Sequence, residues 1–234
     1  MKSFTKKNDN IAKIVPRYAV IPFVILLIIN VLVYMGTRVI TDGMNHFDIS
    51  GYVDHKIPFL PVFSVPYMLA YVQWFACFIV VSRYEKNYCY KVMCGEMIAK
   101  VLAGVIFLLF PTTMLRAEIN GTDIFSQAVG MIYRLDAPTN LFPSIHCLES
   151  YICMRVVIEM KSADKSFRIA NVIMSLLVFM STVFIKQHVV LDFFGAVIVA
   201  EAGRFLSELF FRISFYYIEK DRKGKDGERY VYRQ

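Results

Sequence analysis

The stretch "YAVIPFVILLIINVLVYMGTRVI", residues 18–40, decides the fold. Its one charged residue, Arg38, comes near the end, and roughly 20 apolar residues suffice to cross the hydrocarbon core of a bilayer. The run is too long for the core of a signal peptide, and no small-residue cleavage site follows it, so it reads as a retained span. Further apolar runs lie at about 59–82, 97–113, 143–161, 168–187 and 188–213. The last two meet at "KQHVVLD" (186–192), which requires a tight turn near Gln187. Composition agrees: 57% of the 234 residues are hydrophobic, 15% are aromatic and mean hydropathy is +0.50. A soluble domain of this length needs far more polar surface. The expectation is an all-α integral membrane bundle of six transmembrane helices. It forms one domain over residues 18–213, between a basic N-terminus (1–17) and a basic tail (214–234).

The net charge of +7 is distributed topologically. Lys2, Lys6, Lys7, Lys13 and Arg17 precede the first span. Arg83, Lys86 and Lys91 follow the second, Lys161, Lys165 and Arg168 follow the fourth, and "EKDRKGKDGERYVYRQ" (219–234) ends the chain. The first connection, "TDGMNHFDISGYVDHKIP" (41–58), is acidic, and the third, 114–142, carries only Arg116 and Arg134 as basic residues. Basic loops stay cytoplasmic, so both termini are expected inside and the first and third connections outside. Charge confined to tails and short loops suits anionic lipid headgroups rather than nucleic acid. Five cysteines in spans or a cytoplasmic loop (Cys77, Cys89, Cys94, Cys147, Cys153) form no disulfide framework.

On the outer side this topology gathers Arg116, after the third span, His146, opening the fourth, and His188, opening the sixth. Asp192 follows His188 by one helical turn, so its carboxylate can hold the imidazole ring and fix its tautomer, freeing the far nitrogen as nucleophile or base. A lone interfacial histidine is usually an anchor, and H-x-x-x-D recurs by chance. Convergence raises the weight of these residues: of only four histidines, two head separate spans on one side. Ser144, after Pro143, reads as the start of a helix whose N-terminal N–H groups attract phosphate; capping the helix is the plainer role and compatible with it.

"FPSIHC" (142–147) followed by "STVFIKQHVVLDFFG" (181–195) resembles the type 2 phosphatidic acid phosphatase superfamily, nearest to the inositol phosphorylceramide synthase-like branch. The likeness extends from "IPFLPVFSVPY" (57–67) through the last span. It implies that His188 attacks phosphorus to give a phosphohistidine, that Asp192 orients it, and that His146 protonates the leaving oxygen. It also implies that no metal or cofactor takes part. The phosphate clamp departs from the family's pattern. Ala117 rather than proline follows Arg116, Leu109 stands where a lysine is expected, Ile145 replaces a glycine and Thr182 replaces an arginine. Arg116, Ser144 and Lys186 are the candidate phosphate ligands.

The expected activity is hydrolysis of a membrane lipid phosphate or diphosphate at the outer face of a bacterial cell membrane. Headgroup phosphotransfer is the alternative, and an ion-coupled carrier or a zinc site built from the same histidines are the rivals. The expected geometry is one outward-facing pocket shared by His146, His188 and Arg116, with the imidazoles separated by about the width of a phosphate, roughly 5–8 Å.

Overall fold

In the computed structural model the described residues are 14–231, with side chains to Tyr217. Lys2, Lys6, Lys7, Lys13 and the side chains of the basic tail lie outside them. The described chain is mostly helical, with eight helices. These are α1 (Arg17–Thr41, with a π-helical turn at Leu32–Gly36), α2 (Tyr52–Lys56), α3 (Ser64–Tyr84, entered through a 3₁₀ turn at Pro61–Phe63) and α4 (Lys86–Leu109). Then come α5 (Ile124–Leu135), α6 (Ile145–Glu159), α7 (Lys165–Phe184) and α8 (Val190–Val231). Two short parallel strands, Phe47–Asp48 and Thr112–Thr113, tie the first and third connections together.

Four helices are long and apolar enough to cross a membrane: Arg17–Thr41, Pro61–Tyr84, Lys86–Leu109 and Lys165–Phe184. The other two expected spans fall on α6 and α8, which depart from that description for physical reasons. The 15 residues of α6 reach only about 22 Å, short of a hydrocarbon core of about 30 Å. Both helices also carry charge: Glu149, Arg155 and Glu159 on α6, and Asp192, Glu201, Arg204 and Glu208 on α8.

Those charges find partners, the Lys100 pairs buried and the Arg155 and Arg204 pairs part-exposed. Lys100 of α4, only 4% exposed, lies 2.5 Å from Glu149 and 3.2 Å from Glu96. Arg155 meets Glu201 at 3.0 Å and Glu159 at 3.1 Å, while Arg204 meets Glu201 at 2.7 Å. Charges at membrane depth persist where they are paired and turned away from lipid.

Helix α8 packs on α4 at Gly95 and Gly203, where a Cβ on residue 203 would sit 2.4 Å from the Gly95 carbonyl oxygen. Gly195 makes room for Phe142, because a Cβ there would strike the Phe142 ring at 2.4 Å. The third connection holds a helix that the spans did not announce. In α5, Asp123 caps the N-terminus by accepting from Phe125 N (3.0 Å) and Ser126 N (3.2 Å). Val129 and Ile132 of α5 pack on Tyr67 and Ile185, closing one end of the bundle. At the other end, α8 continues beyond the expected limit at 213 to Val231; no proline follows Arg212, and acidic and basic residues recur there at helical spacing.

Candidate active site

The turn between α7 and α8 and the start of α6 meet at one end of the bundle. Asp192, fully buried, lies in the first turn of α8, and its Oδ2 sits 2.9 Å from Nδ1 of His188. The same oxygen accepts from Val189 N at 3.1 Å, and Oδ1 is buried without a hydrogen-bond partner. A carboxylate in that place accepts the Nδ1 proton, leaving His188 Nε2 with its lone pair. The main chain of His188 is braced as well: Gln187 N and His188 N both donate to the Thr182 carbonyl at 3.0 Å. Thr182, which stands at the arginine position of the resembling pattern, is buried and its hydroxyl donates to Phe179 O at 2.9 Å.

Ser144 is the N-cap of α6. Its hydroxyl accepts from Cys147 N at 3.3 Å and its own N–H donates to the Asp192 carbonyl at 3.3 Å, so the start of α6 is fastened to the first turn of α8. Capping occupies the Ser144 side chain, whereas the N–H groups of Ile145 and His146 take no partner among the described residues. A helix start with open N–H groups is suited to an oxyanion.

His146, 9% exposed, stacks on Tyr67 with ring centroids 4.0 Å apart and is flanked by Trp74 at 5.1 Å and Tyr71 at 5.5 Å. Its Nε2 is buried without a hydrogen-bond partner. His146 and His188 line one cavity of about 350 Å³, with Tyr34, Tyr67, Trp74 and Asp136 among its walls. The two histidines are thus brought together, each with one ring nitrogen unengaged by the protein, which is what a nucleophile and a proton donor facing one substrate require.

Arg116 and Lys186 are not among the residues lining that cavity. The Arg116 guanidinium lies over the Tyr133 ring, 4.4 Å from its centroid, and donates to Tyr133 O at 3.1 Å; its Nε and Nη2 are buried without partners. Burial pulls its pKa below the usual guanidinium value, with the Asp136 charge opposing. Lys186 donates to the carbonyls of Asp54 and Ile57, both at 2.7 Å, and burial lowers its pKa against the pull of Asp54.

Sequence reasoning passed over Asp136. It receives hydrogen bonds from the Tyr34 hydroxyl, from Tyr67 Oη (3.4 Å) and from Gln187 Nε2 (3.0 Å). Through Tyr67 it touches the residue stacked on His146, and through Gln187 the residue preceding His188. Its place in "RLDAPTN" (134–140), within a polar run directly before the "FPSIHC" block, was the available signal. No lysine or arginine lines the cavity among the described residues, and Asp136 is the carboxylate in its lining, with the Arg116 charge acting on it from beyond the wall. Nor do three or more His, Cys, Asp or Glu side chains cluster there in a geometry for holding an ion. Comparisons with protein-family models, curated proteins and solved structures find no match to this chain.

Proposed function

We propose that the chain is a six-span membrane enzyme that transfers phosphoryl groups from lipid phosphates through a phosphohistidine on His188. The observation that carries this reading is the shared cavity: a carboxylate-held imidazole and a second imidazole, each with a free ring nitrogen, face one space. The resemblance of the "FPSIHC" and "KQHVVLD" blocks to type 2 phosphatidic acid phosphatases supports it. Helices α6 and α8 complete six spans in this proposal, because their charges are paired within the bundle. The alternation of basic connections favours both termini in the cytoplasm and the cavity outside.

In the first half-reaction the lone pair of His188 Nε2 forms a bond to phosphorus as the phosphorus–oxygen bond to the lipid breaks, and His146 gives its proton to the departing oxygen. In the second, His146 takes a proton from water as its oxygen bonds to phosphorus and the phosphorus–nitrogen bond breaks, releasing phosphate and restoring both rings. The N–H groups at the start of α6 are the donors nearest at hand for an equatorial oxygen. Purified protein supplied with a series of lipid phosphates should release phosphate; no consumption of any of them, with or without an acceptor alcohol, would end this reading.

One observation favours a second outcome at the same site. A carboxylate and no lysine or arginine in the cavity disfavours doubly charged phosphomonoesters and suits a singly charged diester with a headgroup rich in hydrogen-bond donors. With such a donor the lipid alcohol leaves as His188 takes the headgroup-bearing phosphorus, and passage of that group from His188 to a second alcohol in place of water is headgroup transfer.

A further inference from the structure

The turn that carries His188 is clasped from outside by the first connection. Lys186, with φ of 52°, is one of two non-glycine residues at positive φ among the described residues, a conformation a lysine adopts when its surroundings impose it. Its ammonium crosses to α2 and donates to Asp54 O and Ile57 O, both at 2.7 Å, the carbonyls at the end of that short helix. Asp54 returns the contact. Its Oδ1 accepts from Val190 N, the first residue of α8, at 2.8 Å, and its Oδ2 accepts from Gly51 N at 2.8 Å. Each helix end is therefore capped by a side chain from the other, a cation at a C-terminus and a carboxylate at an N-terminus. Leu60 N adds a main-chain bond to Phe184 O at 3.0 Å, just before the turn.

We propose that Asp54 and Lys186 are positioning residues for His188, and that Lys186 is not a ligand of the substrate's phosphate; the proposal rests on the phosphohistidine reading for its kinetic consequences. His188 lies two residues from both ends of the clasp, Lys186 and Val190. Loosening the clasp lets the turn shift, and a displacement of about 1 Å at a reacting atom lowers rate about a hundredfold. A phosphate role fits poorly with the same geometry. Two of the three ammonium hydrogens are already given to carbonyls, the side chain does not line the cavity, and the buried Asp54 carboxylate beside it repels an anion.

The test compares Lys186→Met, Asp54→Ala and Asp54→Asn in the full chain. A positioning role predicts that Lys186→Met and Asp54→Ala lower kcat about ten- to a hundredfold, with KM within about threefold of wild type. Asp54→Asn retains an oxygen for Val190 N and should keep most of kcat. Hydrogen exchange of the 185–192 segment supplies a readout independent of turnover: protection of the Val190 amide should fall in Asp54→Ala and persist in Asp54→Asn. If the wild type consumes no lipid phosphate, the functional reading fails while the exchange experiment still decides the clasp. A Lys186→Met protein with raised KM and unchanged kcat would make Lys186 a phosphate ligand and overturn the proposal. Unchanged exchange at Val190 in Asp54→Ala would overturn it as well.

Discussion

Replacing Asp192 with asparagine removes one charge at constant shape, and the structure lets its effect be worked out. Oδ2 of Asp192 accepts two hydrogen bonds, from His188 Nδ1 at 2.9 Å and from Val189 N at 3.1 Å. An asparagine NH₂ placed at Oδ1 is buried without a partner, and placed at Oδ2 it opposes Val189 N–H and can donate only to a deprotonated His188 Nδ1. Satisfying it puts the imidazole proton on Nε2, the nitrogen that must attack phosphorus. Loss of a charged hydrogen bond alone is worth about 1.5–3 kcal/mol, or roughly 10- to 150-fold in rate. The wrong tautomer extends the loss to about 10⁴-fold in the Ser-His-Asp arrangement that shares this logic. Asp192→Asn should therefore lower kcat by about 10²- to 10⁴-fold and slow phosphoenzyme formation equally, with KM little changed. Single-turnover trapping of labelled phosphate on purified protein measures both. Turnover within about threefold of wild type would refute the role assigned to Asp192.

The two histidines should separate kinetically. His188→Ala should abolish turnover, whereas His146→Ala should slow it about 10²- to 10⁴-fold, less for diphosphate substrates whose leaving group needs less protonation. Asp136→Asn should shift the ratio of kcat/KM values from phosphodiester toward phosphomonoester lipids by about tenfold or more, and an unchanged ratio would remove the electrostatic argument for headgroup transfer. Lys100→Met strands Glu96 and Glu149 beside each other in the interior and should destabilise the folded protein by about 3–5 kcal/mol, seen as a lowered melting temperature in detergent. Adding Glu96→Gln and Glu149→Gln should restore much of that loss. Turnover should survive chelator, because in this scheme no divalent ion activates water; loss restored by zinc or magnesium would favour the metal rival.

The apolar runs made the spanning helices legible, because a lipid-facing helix needs little from its neighbours and its length is written in composition. Helices α6 and α8 are less plainly written, because their charges find partners on other helices: Lys100 with Glu149, Arg155 with Glu201. Helix α5 was missed because a break in hydropathy announces an outer connection but not its amphipathic face. At the site, the histidines and Asp192 were legible because His188 and Asp192 stand four residues apart and His146 comes to the same end, although His188 lies in the turn before α8 and Asp192 reaches back to it. Lys186 shows the limit. Its charge and proximity to His188 suggested phosphate, whereas its direction depends on a left-handed backbone and on Asp54, far away in the chain. Asp136 gave only the signal of its polar run, because its partners Tyr34, Tyr67 and Gln187 come from three separate parts of the chain.

The central claim is a covalent bond between His188 and phosphorus, and it can be observed. Protein incubated briefly with a lipid phosphate labelled at phosphorus, quenched in base to preserve a phosphoramidate, and digested for mass spectrometry should carry phosphate on the peptide containing His188. The label should be acid-labile, absent from His188→Ala and trapped for longer in His146→Ala. Label found on another residue, or undiminished in His188→Ala, would contradict the account.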